Sequence, residues 1–157
     1  MDVLAVTTDR HWQEAQRIRQ RVFVEEQACP PDEEWDAWDA AAARGRTCHH
    51  LLGQVDGTPV ATARWRPVTY RGRAAAKLER FAVLPAWRGR GLGRAIVEAA
   101  IREAQQAGFA TLVLHAQAHL EPLYAAFGFE PVGPVFEEAG IPHIAMVRGE
   151  DSLRGEA

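Results

Sequence analysis

The stretch Arg88-Gly-Arg-Gly-Leu-Gly93 constrains this chain more than any other. It follows a strand-like run, residues 77–84, and leads into a segment whose apolar residues Ile96, Val97, Ala100, Ile101 and Ala104 recur at helical spacing. Glycines at 89, 91 and 93 let the backbone turn tightly and approach a ligand with no Cβ in the way. A helix beginning at about Gly91 aims its unpaired N–H groups and the positive end of its dipole at the same point. With Arg88, Arg90 and Arg94 around it, the segment reads as an anion cradle suited to a pyrophosphate.

The rest of the chain divides into short elements around this cradle. Residues 3–6 read as a first strand, and Trp12, Ala15, Ile18 and Val22 mark the apolar face of a helix capped by Asp9. Residues 25–46 are acidic, broken by Pro30-Pro31, and read as a long loop with a short helical piece. Asp56-Gly57 between strand-like residues 50–55 and 58–68 predicts a hairpin, and residues 70–73 a second turn. Gly108 closes the long helix; a strand over 110–116, a short helix over 119–127 and strands over 129–136 and 142–148 follow. This order predicts a single-domain, mixed α/β fold over residues 1–148, a mostly antiparallel sheet flanked by helices, with a polar tail over 149–157.

Composition narrows the function classes. At 157 residues, 47% apolar and 25% charged, the chain can bury one core. A net charge of −3 gives no bulk attraction to nucleic acid or to an anionic membrane. Arg64, Arg66, Arg71, Arg73 and Arg80 could make an RNA face, but the acidic net charge argues against one. Lys77 is the only lysine; biased codon usage and a need for phosphate-binding guanidinium groups both account for that. Cys29 and Cys48 have no metal-type spacing, and His115, His119 and His49-His50 close no ligand set, so no metal is expected. Neither a membrane-length apolar stretch nor a signal-peptide pattern after Met1 is present, which predicts a cytoplasmic protein.

Three chemistries compete for the glycine loop. A nucleotide P-loop needs Gly-Lys-Ser/Thr, and the lone lysine lies upstream. A dinucleotide fingerprint needs glycine where Arg94 stands. The pattern that fits is R-x-x-G-x-G, Arg88 to Gly93, which resembles the acyl-CoA loop of the GNAT N-acetyltransferase superfamily. The likeness extends to residues 79–93 as a strand plus loop, and to residues 114–129 as a strand, a short helix with a tyrosine, and a closing Gly-Phe. Residues 22–30, 116–120 and 136–143 resemble the ElaA-like branch.

The resemblance implies that central strands splay apart to form an acyl-CoA cleft, with acetyl-CoA as cosubstrate. Its pantetheine arm would pair with the backbone of Phe81, Ala82 and Val83 like an added strand. Arg88, Gly89, Arg90, Gly91, Leu92, Gly93 and Arg94 would hold the pyrophosphate, and an N–H near Phe81 would stabilise the oxyanion. Tyr124 matches the family tyrosine that protonates the departing thiolate. The implied acceptor is a primary amine of a small molecule or a protein amino group, attacked directly in a ternary complex. A homodimer is compatible with such a fold.

An amine of pKa ~10.4 is almost wholly protonated at pH 7, so a base or a desolvating pocket is required. Glu79, His115 and Glu26 all qualify by residue type, Glu26 also as a substrate contact, and the sequence does not choose among them. His50 and His143 match family positions and either line the acceptor pocket or pair within the sheet. The carboxylates of residues 25–39 either favour a cationic acceptor or solvate a surface loop, and Trp35 and Trp38 form a lid or anchor it. A covalent acetyl-cysteine route has no histidine assigned to it. A non-catalytic acyl-CoA sensor is the reading from another class: it would keep Arg88 to Gly93 and need neither tyrosine nor base.

Overall fold

The computed structural model describes residues 1–149, so the expected polar tail, apart from Gly149, lies outside the described residues. Seven strands form one sheet: β1 (Asp2–Ala5), β2 (His49–Val55), β3 (Thr58–Tyr70), β4 (Arg73–Val83), β5 (Leu112–Gln117), β6 (Glu130–Glu138) and β7 (Ile141–Arg148). Their order is β1-β2-β3-β4-β5-β7-β6, and every neighbouring pair is antiparallel except β4 with β5. The expected mixed α/β domain with a mostly antiparallel sheet is thus the observed one. Asp56 and Gly57 both take positive φ, 50° and 79°, the mirror-image turn whose twist suits a two-residue hairpin.

Helices α1 (Asp9–Arg19) and α3 (Leu92–Gln106) cover the sheet, with short α2 (Pro31–Glu34) and α4 (Glu121–Ala125) at its rim. Leu51 and Leu52 point to opposite faces of β2. Leu52 packs with Trp12, Ala15, Ile18 and Val22 of the α1 side, and Leu51 with Ile96 and Ala100 of α3. The sheet is therefore buried on both faces between these two helices. The α1 cap is Thr8, not Asp9: Thr8 Oγ1 accepts the His11 N–H at 3.2 Å, which leaves Asp9 inside the first turn.

The acidic loop is more ordered than its composition suggests. After α1 the chain widens into a π-helical turn, Gln20–Glu26, and α2 and a 3-10 turn, Ala37–Asp39, follow. Asp36 nucleates the latter as a capping box: its carboxylate accepts the Trp38 N–H at 3.0 Å, and its own N–H donates to Asp39 at 3.1 Å.

Two irregularities open the centre of the sheet. The β3–β4 register slips between Thr62 and Arg64, where Arg80 takes φ 59° and the strand bulges. On its other side β4 pairs with β5 only at Ala76↔Leu112 and Lys77↔Val113, after which the strands part.

Candidate active site

Glycine-rich residues fill the entrance to this gap. Gly89 (φ 80°) and Gly91 (φ 78°) take the left-handed conformation, and nothing lies within 4 Å of where a Cβ would stand on either. The backbone there is both specified as glycine and open to a ligand. Gly91 is the N-cap of α3, so the first N–H groups of a long helix face the same space. The three arginines already have partners. Arg88 donates a fork to Glu26 at 2.6 and 2.7 Å and its Nε–H to the Val83 carbonyl at 3.0 Å. Arg90 lies over the Trp87 ring and Arg94 over that of Phe127. The loop thus offers an anion main-chain N–H groups together with the N–H donors of Arg90 and Arg94, while those of Arg88 are committed.

This loop opens into a cleft of about 390 Å³ lined by Phe81, Ala82, Val83, Arg88, Gly89, Gly91, Leu92, Gly93 and Tyr124, among others. Sequence alternation places Lys77 and Glu79 on the face of β4 opposite Leu78, and His115 opposite Leu114. A second cavity, also about 390 Å³, is lined by Arg66, Lys77, Leu78, Glu79, Leu114, His115, Glu138 and His143, among others. The two cavities share Gln27, Phe81, Gln117, Leu120 and Tyr124. Tyr124, its ring 5.9 Å from that of Phe81, stands where they meet, and burial pushes its hydroxyl pKa well above the ordinary phenol value. Gln117 Nε2 donates to Gln27 Oε1 at 3.1 Å, joining the end of β5 to the π-turn.

The structure brings most of the sequence-predicted residues together, with four exceptions. Arg90 and Arg94 line neither cavity and lie over the rings of Trp87 and Phe127. Glu26 lines neither cavity and is bound to Arg88, whose hydrogen bond holds its carboxyl below the usual range. His50 also lines neither; it is 3% exposed, packed edge-on against Trp12 at 4.7 Å and beside Cys48 at 3.8 Å. Sequence reading also missed Glu138, Gln117 and Gln27. Only the register β5-β7-β6 brings Glu138 to His115, and no local pattern carries that information.

Glu79 belongs to a buried charge cluster under the bulge. Arg64 contacts Asp36, Asp39 and Glu79 at 2.8–3.0 Å, Arg19 contacts Glu34 and Asp39 at 2.6 and 2.7 Å, and Arg66 contacts Glu79 at 2.7 Å. Arg80, the bulged residue, reaches Glu34 at 3.1 Å and the Glu34 carbonyl at the same distance. Burial opposes ionisation of Glu79, but Arg64, Arg66, Lys77 and Arg80 outweigh it and hold its pKa low. Three of the loop carboxylates, Glu34, Asp36 and Asp39, therefore anchor the loop to the bulge, and Trp38 stacks under Arg66.

His50 borders this cluster, and burial together with the positive charge of Arg19 lowers its pKa from 6.5 to about 3. The folded protein keeps it neutral while the unfolded chain protonates it. Its contribution is therefore intact above about pH 6.5 and is lost as the pH falls towards 3. The slope is about 1.4 kcal/mol per pH unit, so roughly 2 kcal/mol is expected to go between pH 7 and 5. His50→Gln should flatten that part of the curve in urea titrations. An unchanged slope in the variant would show that another group carries it.

Among the described residues no group of histidine, cysteine and carboxylate side chains could hold a metal, and no helix is long and apolar enough to cross a membrane. The family model for an acetyltransferase (GNAT) domain matches residues 32–149. A Bacillus subtilis protein named as a candidate acetyltransferase is 36% identical over 97% of this chain and 99% of its own. The crystal structure of an acyl-CoA N-acyltransferase from Pseudomonas aeruginosa superposes with a TM-score of 0.81 at 33% identity, covering 94% of this chain and 99% of that one. Escherichia coli ElaA does so with a TM-score of 0.78 at 29% identity, covering 94% and 98%. With a glycine cradle at a helix start, a split sheet and these relatives, the chain belongs to the GNAT acetyltransferase family.

Proposed function

We propose that this protein is an acetyl-CoA-dependent N-acetyltransferase that moves the acetyl group to a primary amine by direct attack in a ternary complex. The observation that carries this reading is the pair of cavities meeting at Tyr124. One is bordered by the glycine loop and the unpaired stretch of β4, and fits a pyrophosphate followed by an extended arm. The other is rich in carboxylate and imidazole groups, and fits an amine. Acetyl-CoA supplies the activated acyl group as a thioester. Backbone N–H groups of residues 89–94 hold its diphosphate, and the Phe81–Val83 backbone aligns the arm and polarises the thioester carbonyl. Tyr124 gives its proton to the departing thiolate, its hydroxyl standing protonated where the two cavities meet. Acetyl-CoA places this work in the cytoplasm, and both small amines and protein amino groups fit the chemistry.

The test is release of CoA thiol from acetyl-CoA with a panel of amines, polyamines, aminoglycosides and lysine peptides. Amine-dependent release above the blank is the expected result. Binding of CoA with no release from any of them would favour a sensor that uses the same cleft. No binding of CoA would overturn both.

A further inference from the structure

Several groups near the second cavity could take a proton from an acceptor ammonium. Glu79 is bound by Arg64 at 3.0 Å and Arg66 at 2.7 Å, which makes it a weak proton acceptor. Glu26 is committed to Arg88 outside the cavity. His143 is 7% exposed, its Nδ1–H is committed to the Ile141 carbonyl at 2.7 Å, and its Nε2 faces Glu138 at 3.7 Å, so neither ring nitrogen is open to an acceptor. His115 differs. Its Nδ1 lies 2.9 Å from Glu138 Oε1, and its other ring nitrogen has no hydrogen-bond partner among the described residues.

Resting on the acetyl-transfer reading above, we propose that His115, oriented by Glu138, is the base that deprotonates the acceptor, with Glu138 as its positioning residue. An ionised carboxylate only accepts hydrogen bonds, so the pairing puts the proton on Nδ1 and leaves the lone pair on Nε2. The His115 hydrogen bond in turn holds Glu138 ionised, below its usual pKa. The fold fixes both partners. Glu138 ends β6 at the Ala139-Gly140 turn, where both residues take positive φ, 53° and 76°. Phe136, two residues earlier, meets the His115 ring edge-on at 5.1 Å. The charged and titratable groups that line the cavity with His115 are Cys29, Glu33, Glu34 and Asp36 before β2, Arg66 on β3, Lys77, Glu79 and Arg80 on β4, Tyr124 on α4, Glu138 on β6 and His143 on β7. His143 Nε2 lies 3.7 Å from the second Glu138 oxygen, so the carboxylate sits between two imidazoles.

The proton balance is simple. His115 Nε2 takes one proton from the ammonium, and the freed amine forms the C–N bond as the C–S bond breaks. Tyr124 gives a proton to the thiolate and recovers one from the amide nitrogen, and His115 returns its own to water.

Two measurements test the assignment. The first is histidine-ring NMR of the full-length protein across pH, which needs no acceptor. His115 is expected in the Nδ1–H form, with the Nε2–H form gaining in Glu138→Gln. An Nε2–H ring in the wild type, or a tautomer balance unmoved in the variant, would overturn the pairing. The second uses two matched probes at pH 7, ethylamine, which is protonated there, and 2,2,2-trifluoroethylamine, which is largely not. His115→Gln is expected to lose on the order of 10²-fold in kcat/KM on ethylamine and far less on the fluorinated amine, with Glu138→Gln showing the same split. Equal losses on both probes would reduce the pair to a structural role. Wild-type inactivity on every amine in the panel above would instead sink the acetyl-transfer reading, whatever the ring shows.

Discussion

Tyr124→Phe lowers kcat by about 10²-fold or more and leaves CoA affinity where it was, if the phenol is the proton donor to the thiolate. The expectation comes from position. Tyr124 belongs to the core cluster with Phe129, Leu114 and Leu78, so the ring is held by packing while its hydroxyl is the one polar group removed. Phenylalanine keeps the ring contacts with Phe81 and Phe129, and folding is expected to survive. Isothermal titration of CoA alongside steady-state thiol release separates the two quantities. A matching loss of affinity and turnover would mean that the hydroxyl binds rather than reacts. Full activity would pass the acid role to solvent.

Arg64→Met is the substitution expected to cost most in stability. Arg64 is 1% exposed and holds Asp36, Asp39 and Glu79 together. Methionine fills some of the volume but leaves three carboxylates with less compensation, a change worth about 3–5 kcal/mol when one member of a buried pair is removed. For a chain of this length that is a fall in Tm on the order of 10 °C. Asp39, whose carboxyl is brought to a pKa of about 2 against the cost of burial, should then rise towards its ordinary value. The variant is accordingly expected to lose less, relative to wild type, as the pH falls from about 4 towards 2 than it does at pH 7. A cost under about 1 kcal/mol would class the cluster with exposed ion pairs.

The parts of this molecule legible in the sequence are those set by local rules. Glycine spacing before a helix, the Asp56-Gly57 turn and the period of α3 each identify an element without reference to the rest of the chain. The likeness to known acetyltransferases then supplied Tyr124. What escaped depends on long-range pairing. His50 sits in the run His50–Gly53, every residue of which is buried, so alternation could not tell a pocket-facing side from a core-facing one. The acidic loop looked solvated because its arginine partners lie on α1, β3 and β4, as much as 47 residues away. The His115–Glu138 contact crosses an intervening strand, β7, and could not be inferred before the sheet order was known.

The parting of β4 from β5 has a mechanical consequence. Beyond the two rungs at Ala76 and Lys77, the sheet is two leaves, β1–β4 and β5–β7, joined by a seam shorter than any other in the molecule. A seam that ran the full length of β5 would make a stiffer protein with its backbone groups mutually satisfied. It would also leave no slot between the leaves. Selection for a tighter core alone would close it, so the persistence of the slot marks a limit on how far this protein can be stabilised while it still works.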